Sequence, residues 1–96
     1  MCVLKKLSLR AKDWRHFSRL VLNHIEIYTI PQYGDKGADI ASDYTVDDCF
    51  MQMKRYILRH GKNSREGQDR LDLLKIAHYA EMAYTLIEER DNAKSN

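Results

Sequence analysis

Residues 60–65, HGKNSR, place Lys62, Ser64 and Arg65 in a short turn, with Arg59 just before it and Lys75 a few turns after. A turn of this kind, leading into a helix, suits an anion. The free N–H groups of the helix start and the cationic side chains can both bind phosphate oxygens. The candidate phosphate-binding set is therefore Arg59, Lys62, Ser64, Arg65 and Lys75, with Lys54 or Arg55 in reach. It is not a P-loop, because the upstream glycine and the preceding strand are missing. The competing reading is that the same cations cap a helix end and keep it soluble.

Asp69 and Asp72, three apart on one helical face, could share a magnesium ion. His78 and Glu81, three apart on another, are candidates for a general base toward water. The two pairs point in different directions, and ion pairing of Asp72 with Lys75 or Arg70 is the simpler account. His24 and His78 each interrupt an apolar stripe. They could meet across a bundle with Glu26 or Glu81 to bind metal or move protons, or each could be a core histidine bonded to a tyrosine or a carbonyl. Asp35, Asp39 and Asp43 could hold a divalent ion, but their spacing fits no EF-hand, and a solvated acidic loop is the better account.

Three helices must position these groups. In the first, Trp14, Phe17, Val21, His24 and Tyr28 recur at steps of three and four, with Asp13 as the expected cap and Pro31 expected to end the helix one or two residues before it. Residues 30–44 hold Pro31, Gly34 and Gly37 with no sustained period, which predicts a long loop. Thr45 caps the second helix, and Asp47 and Asp48 in its first turn suit the dipole. Its stripe is Val46, Cys49, Phe50, Met53, Tyr56 and Ile57, and Gly61 marks its end. Asn63 or Ser64 is the expected cap of the third helix, with Glu66 completing a capping box. From Leu71 to Ile87 that helix is apolar on several sides, which predicts burial on several sides and hence a homodimer.

Ninety-six residues, 44% hydrophobic and 31% charged, make one folded domain, with residues 1–10 and 91–96 expected to be disordered. Cys2 and Cys49 form no metal-binding pair, and free thiols without a leader point to the cytoplasm. No segment is long and apolar enough for a membrane. The net charge of +2 conceals alternating blocks: +4 over residues 1–30, −4 over 31–53, +4 over 54–75 and −2 over 76–96. Alternation serves internal or subunit pairing as well as anion capture, and a dedicated DNA-binding domain would be more basic.

The segment RYILRHGKN followed by LDLLKIAHY resembles small helical phage proteins, one branch of which is linked to nucleotide phosphorylation. With YTIPQYGDKGAD, the similarity extends over residues 28–84 to small proteins of phages and other mobile elements. It implies roles for Tyr56, Arg59, Lys62, Asp72, Lys75 and Tyr79. A weaker similarity is to the all-α MazG-like nucleoside triphosphate pyrophosphohydrolases, which hold magnesium between two acidic pairs. Here Asp69 and Asp72 could supply one pair, but the Glu-x-x-Glu of the preceding helix is absent.

The resulting expectation is a small all-α three-helix bundle, dimeric, with a long loop between its first and second helices. Its basic turn would bind a phosphate-bearing ligand, a nucleotide above all, in an accessory protein of a phage or mobile element. The alternatives are an interaction module for a host or phage protein, a magnesium-dependent nucleotide hydrolase, and a nucleic-acid-binding dimer whose binding weakens steeply with salt.

Overall fold

The computed structural model describes residues 6–34, 44–62 and 65–95, and every regular element among them is helical. The first rod comprises α1 (Leu9–His24), a π turn (Ile25–Thr29) and α2 (Ile30–Tyr33), with right-handed helical backbone at each junction. Then come α3 (Val46–Leu58) and α4 (Gln68–Ser95). Among the described residues no helix is long and apolar enough to cross a membrane.

The first rod starts earlier and ends later than its sequence suggests. Ser8, not Asp13, is the cap, its hydroxyl accepting the Ala11 N–H at 3.1 Å. Pro31 does not stop the rod, because the turn before it widens: Ile30 N–H reaches back five residues to Ile25 O. A proline ring clashes with the carbonyl four residues earlier in a regular α-helix, and a π turn relaxes that crowding. The rod ends at Gly34, whose φ of 89° admits glycine readily.

α3 opens as its sequence implies. Thr45 Oγ1 accepts the Asp48 N–H at 3.0 Å, and Asp48 Oδ2 accepts the Thr45 N–H at 2.8 Å, a reciprocal capping box. Beyond its last turn Gly61 takes φ 81°. The start of α4 differs from expectation: Asn63 and Ser64 lie outside the described residues, and Gly67, at φ 81°, supplies the first helical carbonyl to Leu71 N–H at 3.1 Å. At the other end α4 continues through residues 91–95, where fraying was expected. The acids Asp35, Asp39 and Asp43 also fall outside the described residues.

α3 and α4 form a closely packed antiparallel hairpin, and α1 crosses α4 over a smaller area. The centre of the hairpin is thin: Cys49, Tyr56 and Ala83 are its buried hydrophobic residues, and α1 buries none of its own fully. Trp14, expected on the inward stripe of α1, stacks obliquely on Phe17 at 5.7 Å and remains 63% exposed. Loss of a capping hydroxyl costs about 1 kcal/mol. Thr45→Ala should therefore destabilise the protein by about that amount in chemical denaturation while leaving its helical circular-dichroism signature unchanged.

Candidate functional site

The site grows from a carboxylate that cannot be left alone. Asp72, on the first turns of α4, is only 6% exposed, and burial of a charge requires a partner. Arg59, at the end of α3, supplies it in a forked arrangement. Its Nε donates to Asp72 Oδ2 at 3.1 Å, and its Nη2 donates to Oδ1. Gln68 Nε2, one turn earlier on α4, donates to the same Oδ1 at 2.7 Å. These donors hold the Asp72 carboxyl below its ordinary range, with the Arg59 hydrogen bonds the largest cause.

Tyr56 lies one turn before Arg59 and is nearly buried. Its ring has cations around it: the guanidinium carbons of Arg55 and Arg59 each stand 5.0 Å from the ring centroid, and Lys75 Nζ stands 5.4 Å away. Arg55 Nη2 also donates to the Tyr56 hydroxyl at 3.1 Å. Tyr56 stacks on Tyr79 at 6.2 Å, and Tyr79 stacks on Tyr44 at 6.3 Å, so three phenols form a ladder across the hairpin. Burial, followed by the hydrogen bond with Tyr44, pushes the Tyr79 phenol far above its usual range. Gln52 Oε1, one turn before Tyr56, is buried without a hydrogen-bond partner.

The pKa of His24 is lowered by burial and then by the charges of Lys75 and His78, which sets His24 on the side of α4 that carries those two residues. Burial also lowers the pKa of His78, against a weaker opposing pull from Glu81, which stands 3.9 Å away. Among the described residues, no three His, Cys, Asp or Glu side chains are grouped to hold a metal ion. Glu81 is instead engaged by Thr85, whose hydroxyl donates to it at 2.7 Å.

Of the five phosphate candidates, Arg59 and Lys75 come together at Tyr56, and Lys62 and Arg65 are exposed in the turn. Ser64 lies outside the described residues. The start of α4 is less cationic than its sequence suggested: a surface hollow of about 460 Å3 there is lined by Glu66, Gly67, Asp69 and Arg70. Asp69 faces solvent, while both oxygens of Asp72 are engaged by Arg59 and Gln68, so a magnesium ion shared by the two would have to displace that pair. Arg55 was named in the sequence only as a neighbour of the turn, and the tyrosine ladder was not foreseen. The signal for Arg55 was adjacency to Tyr56; the ladder joins residues from three parts of the chain and left no local pattern. Compared with protein-family models, curated proteins and solved structures, the chain matches none.

The pair and the histidines carry opposite charges but share a pH dependence. Asp72 has a lowered folded pKa, so its contribution is present above the unfolded carboxylate value near 3.8 and is lost as pH falls through the lower folded one. His24 and His78 also have lowered folded values. Folded protein therefore binds fewer protons than unfolded protein just below pH 6.5, and stability falls as the solution is acidified through that window. Thermal denaturation should show a first loss of stability below about pH 6.5, flattened in a His24→Gln, His78→Gln double variant. Asp72→Asn should lower the midpoint by several degrees at pH 7 and remove the second loss, below about pH 4. An unchanged acid limb in Asp72→Asn would count against the pair as its source.

Proposed function

We propose that this chain is a phosphate-binding helical protein whose ligand is a nucleotide. The observation that carries the reading is the gathering of Arg55, Arg59 and Lys75 around the ring of Tyr56, with Asp72 as the carboxylate bonded into the cluster. Three cations against one anion leave net positive charge at the junction of α3 and α4. A phosphate group supplies the missing negative charge, with Arg55 and Lys75 as its ligands and Arg59 held in place by Asp72. The tyrosine ladder suits the rest of a nucleotide: Tyr44, its half-exposed end ring, offers an aromatic face to a base. The resemblance of residues 28–84 to small phage proteins, one branch of them linked to nucleotide phosphorylation, supports the same ligand class and an accessory role in a phage or mobile element.

A second reading, an interaction module for another protein, is favoured by the apolar surface. Leu9, Trp14, Leu22 and Ile27 on the first rod, with Met51 and Leu58 on α3, are all more than half exposed, which is unusual for a protein that works alone.

Thermal-shift titration with inorganic phosphate and with nucleoside mono-, di- and triphosphates, each with and without magnesium, separates these readings, since a ligand that binds the folded state raises its midpoint. Nucleotide binding predicts a saturable rise that is larger for nucleotides than for phosphate. Affinity should weaken by roughly tenfold or more in Lys75→Gln and in Arg55→Gln, the loss expected for one charge-assisted hydrogen bond. No shift at millimolar ligand would remove the nucleotide reading, and a phosphate shift equal to the nucleotide shift would remove the base-binding role of Tyr44.

A further inference from the structure

Leu73, Ala77, Ala80, Tyr84 and Ile87 follow one another along α4 at steps of four, three, four and three. This is the seven-residue repeat of a helix that packs lengthwise on another helix. The stripe should be buried, yet Leu73 is 56% and Tyr84 67% exposed, and Ala80 is open to solvent. α3 does not cover it, because α4 turns Asp72, Tyr79 and Ala83 toward α3 and this stripe lies about a quarter turn away. α1 also contacts α4, and the influence of Lys75 and His78 on His24 sets α1 on the side of α4 opposite the stripe.

α3 extends the same open side. It points Cys49 and Tyr56 at α4, and the helical turn then carries Phe50 and Ile57 toward the side away from α1, where they are 57% and 59% exposed. Among the described residues, the face of the hairpin left open is thus two helices wide and about 20 Å long, the scale on which a stable interface buries roughly 800 Å2 per partner.

The charges beside the stripe identify the occupant. Asp69 and Arg90 stand three repeats apart at one flanking position. On the other flank lie Glu81 and Glu88, while Arg70, seven residues before Ala77, continues the line of the stripe itself. When two copies of α4 lie antiparallel, like flanks meet, so Asp69 of one copy faces Arg90 of the other, twice by symmetry. The helix dipoles are also opposed favourably in that orientation. A parallel pairing would set the acidic end, Glu88, Glu89 and Asp91, beside its own copy.

We infer that the occupant is a second copy of this chain, which packs its α3–α4 hairpin antiparallel on the first to make a four-helix bundle. The face lies on the side of the hairpin away from the Lys75 and His24 zone, so the dimer and the phosphate site stand or fall separately.

Light scattering with size-exclusion chromatography should give twice the 11.3 kDa chain mass at 100 µM protein as the test concentration. Ala80→Arg, at an exposed position, should yield a monomer with unchanged helical circular dichroism. Leu73→Gln serves as a second variant if Ala80→Arg fails to fold. In a Cys2→Ser background, Asp69→Cys and Arg90→Cys protein, when mixed and oxidised, should form the mixed disulfide far faster than either forms with itself. A monomeric native protein would overturn the inference and leave the face to an unrelated partner. A dimer that survives Ala80→Arg and Leu73→Gln, a higher assembly, or preferential self-linking of each cysteine variant would overturn it as well.

Discussion

A carboxylate buried where two helices meet constrains much of this fold. Asp72 can remain charged there only because Arg59 and Gln68 saturate its oxygens, and those donors come from opposite arms of the α3–α4 hairpin. The pair fixes how far along α4 the end of α3 sits. That register places Tyr56 beside Lys75 and in line with Tyr79, so the cationic and aromatic features of the site follow from one electrostatic requirement. With Cys49, Tyr56 and Ala83 as the buried apolar side chains among the described residues, a directional bond of this kind specifies the arrangement more sharply than packing alone.

The roles of the charged residues divide accordingly. The turn between α3 and α4 looked, from its composition, like the place where anions would bind, because its lysine and arginines are adjacent in sequence. In three dimensions the cations that share an environment are Arg59, at the edge of the turn, with Arg55 and Lys75 from the helices on either side, drawn together by the tyrosine ring they surround. The helix start itself is lined by Glu66 and Asp69 as well as Arg70, which blunts its attraction for phosphate. Positive charge concentrates beside the aromatic ladder.

How much of this was legible in the sequence depended on how local the cause was. The helical class, the Thr45 cap and the breadth of the apolar surface of α4 all rest on spacing within a few residues, and all are present in the structure. The run of α1 through Pro31 was not legible, because proline normally ends helices and nothing in the residues around it signals a change to five-residue hydrogen bonding. The start of α4 was misplaced because Asn63 and Ser64 are the usual capping types, whereas the helix begins from a glycine with positive φ. At the site, Arg59 and Lys75, both named among the cations around the turn, meet at Tyr56, which was read as part of the buried stripe and is buried, but whose gathering of cations left no mark in the spacing. Asp72 was weighed as an ion-pair residue with Lys75 or Arg70. The actual partner, thirteen residues away on another helix, is a tertiary fact with no short-range trace.

The π turn in the first rod has a consequence for how this helix can vary. A turn with one extra residue is an insertion absorbed without a loop, and everything beyond it is rotated by about 100° relative to an uninterrupted α-helix. The stripe that begins at Trp14 therefore goes out of phase after Ile25, and the face presented by Ile30–Tyr33 is set by the length of the turn as much as by the residues on it. Relatives of this chain that lack the proline would be free to lose one residue between positions 25 and 29 and swing the end of the rod to a new heading, with the α3–α4 hairpin and its buried pair untouched.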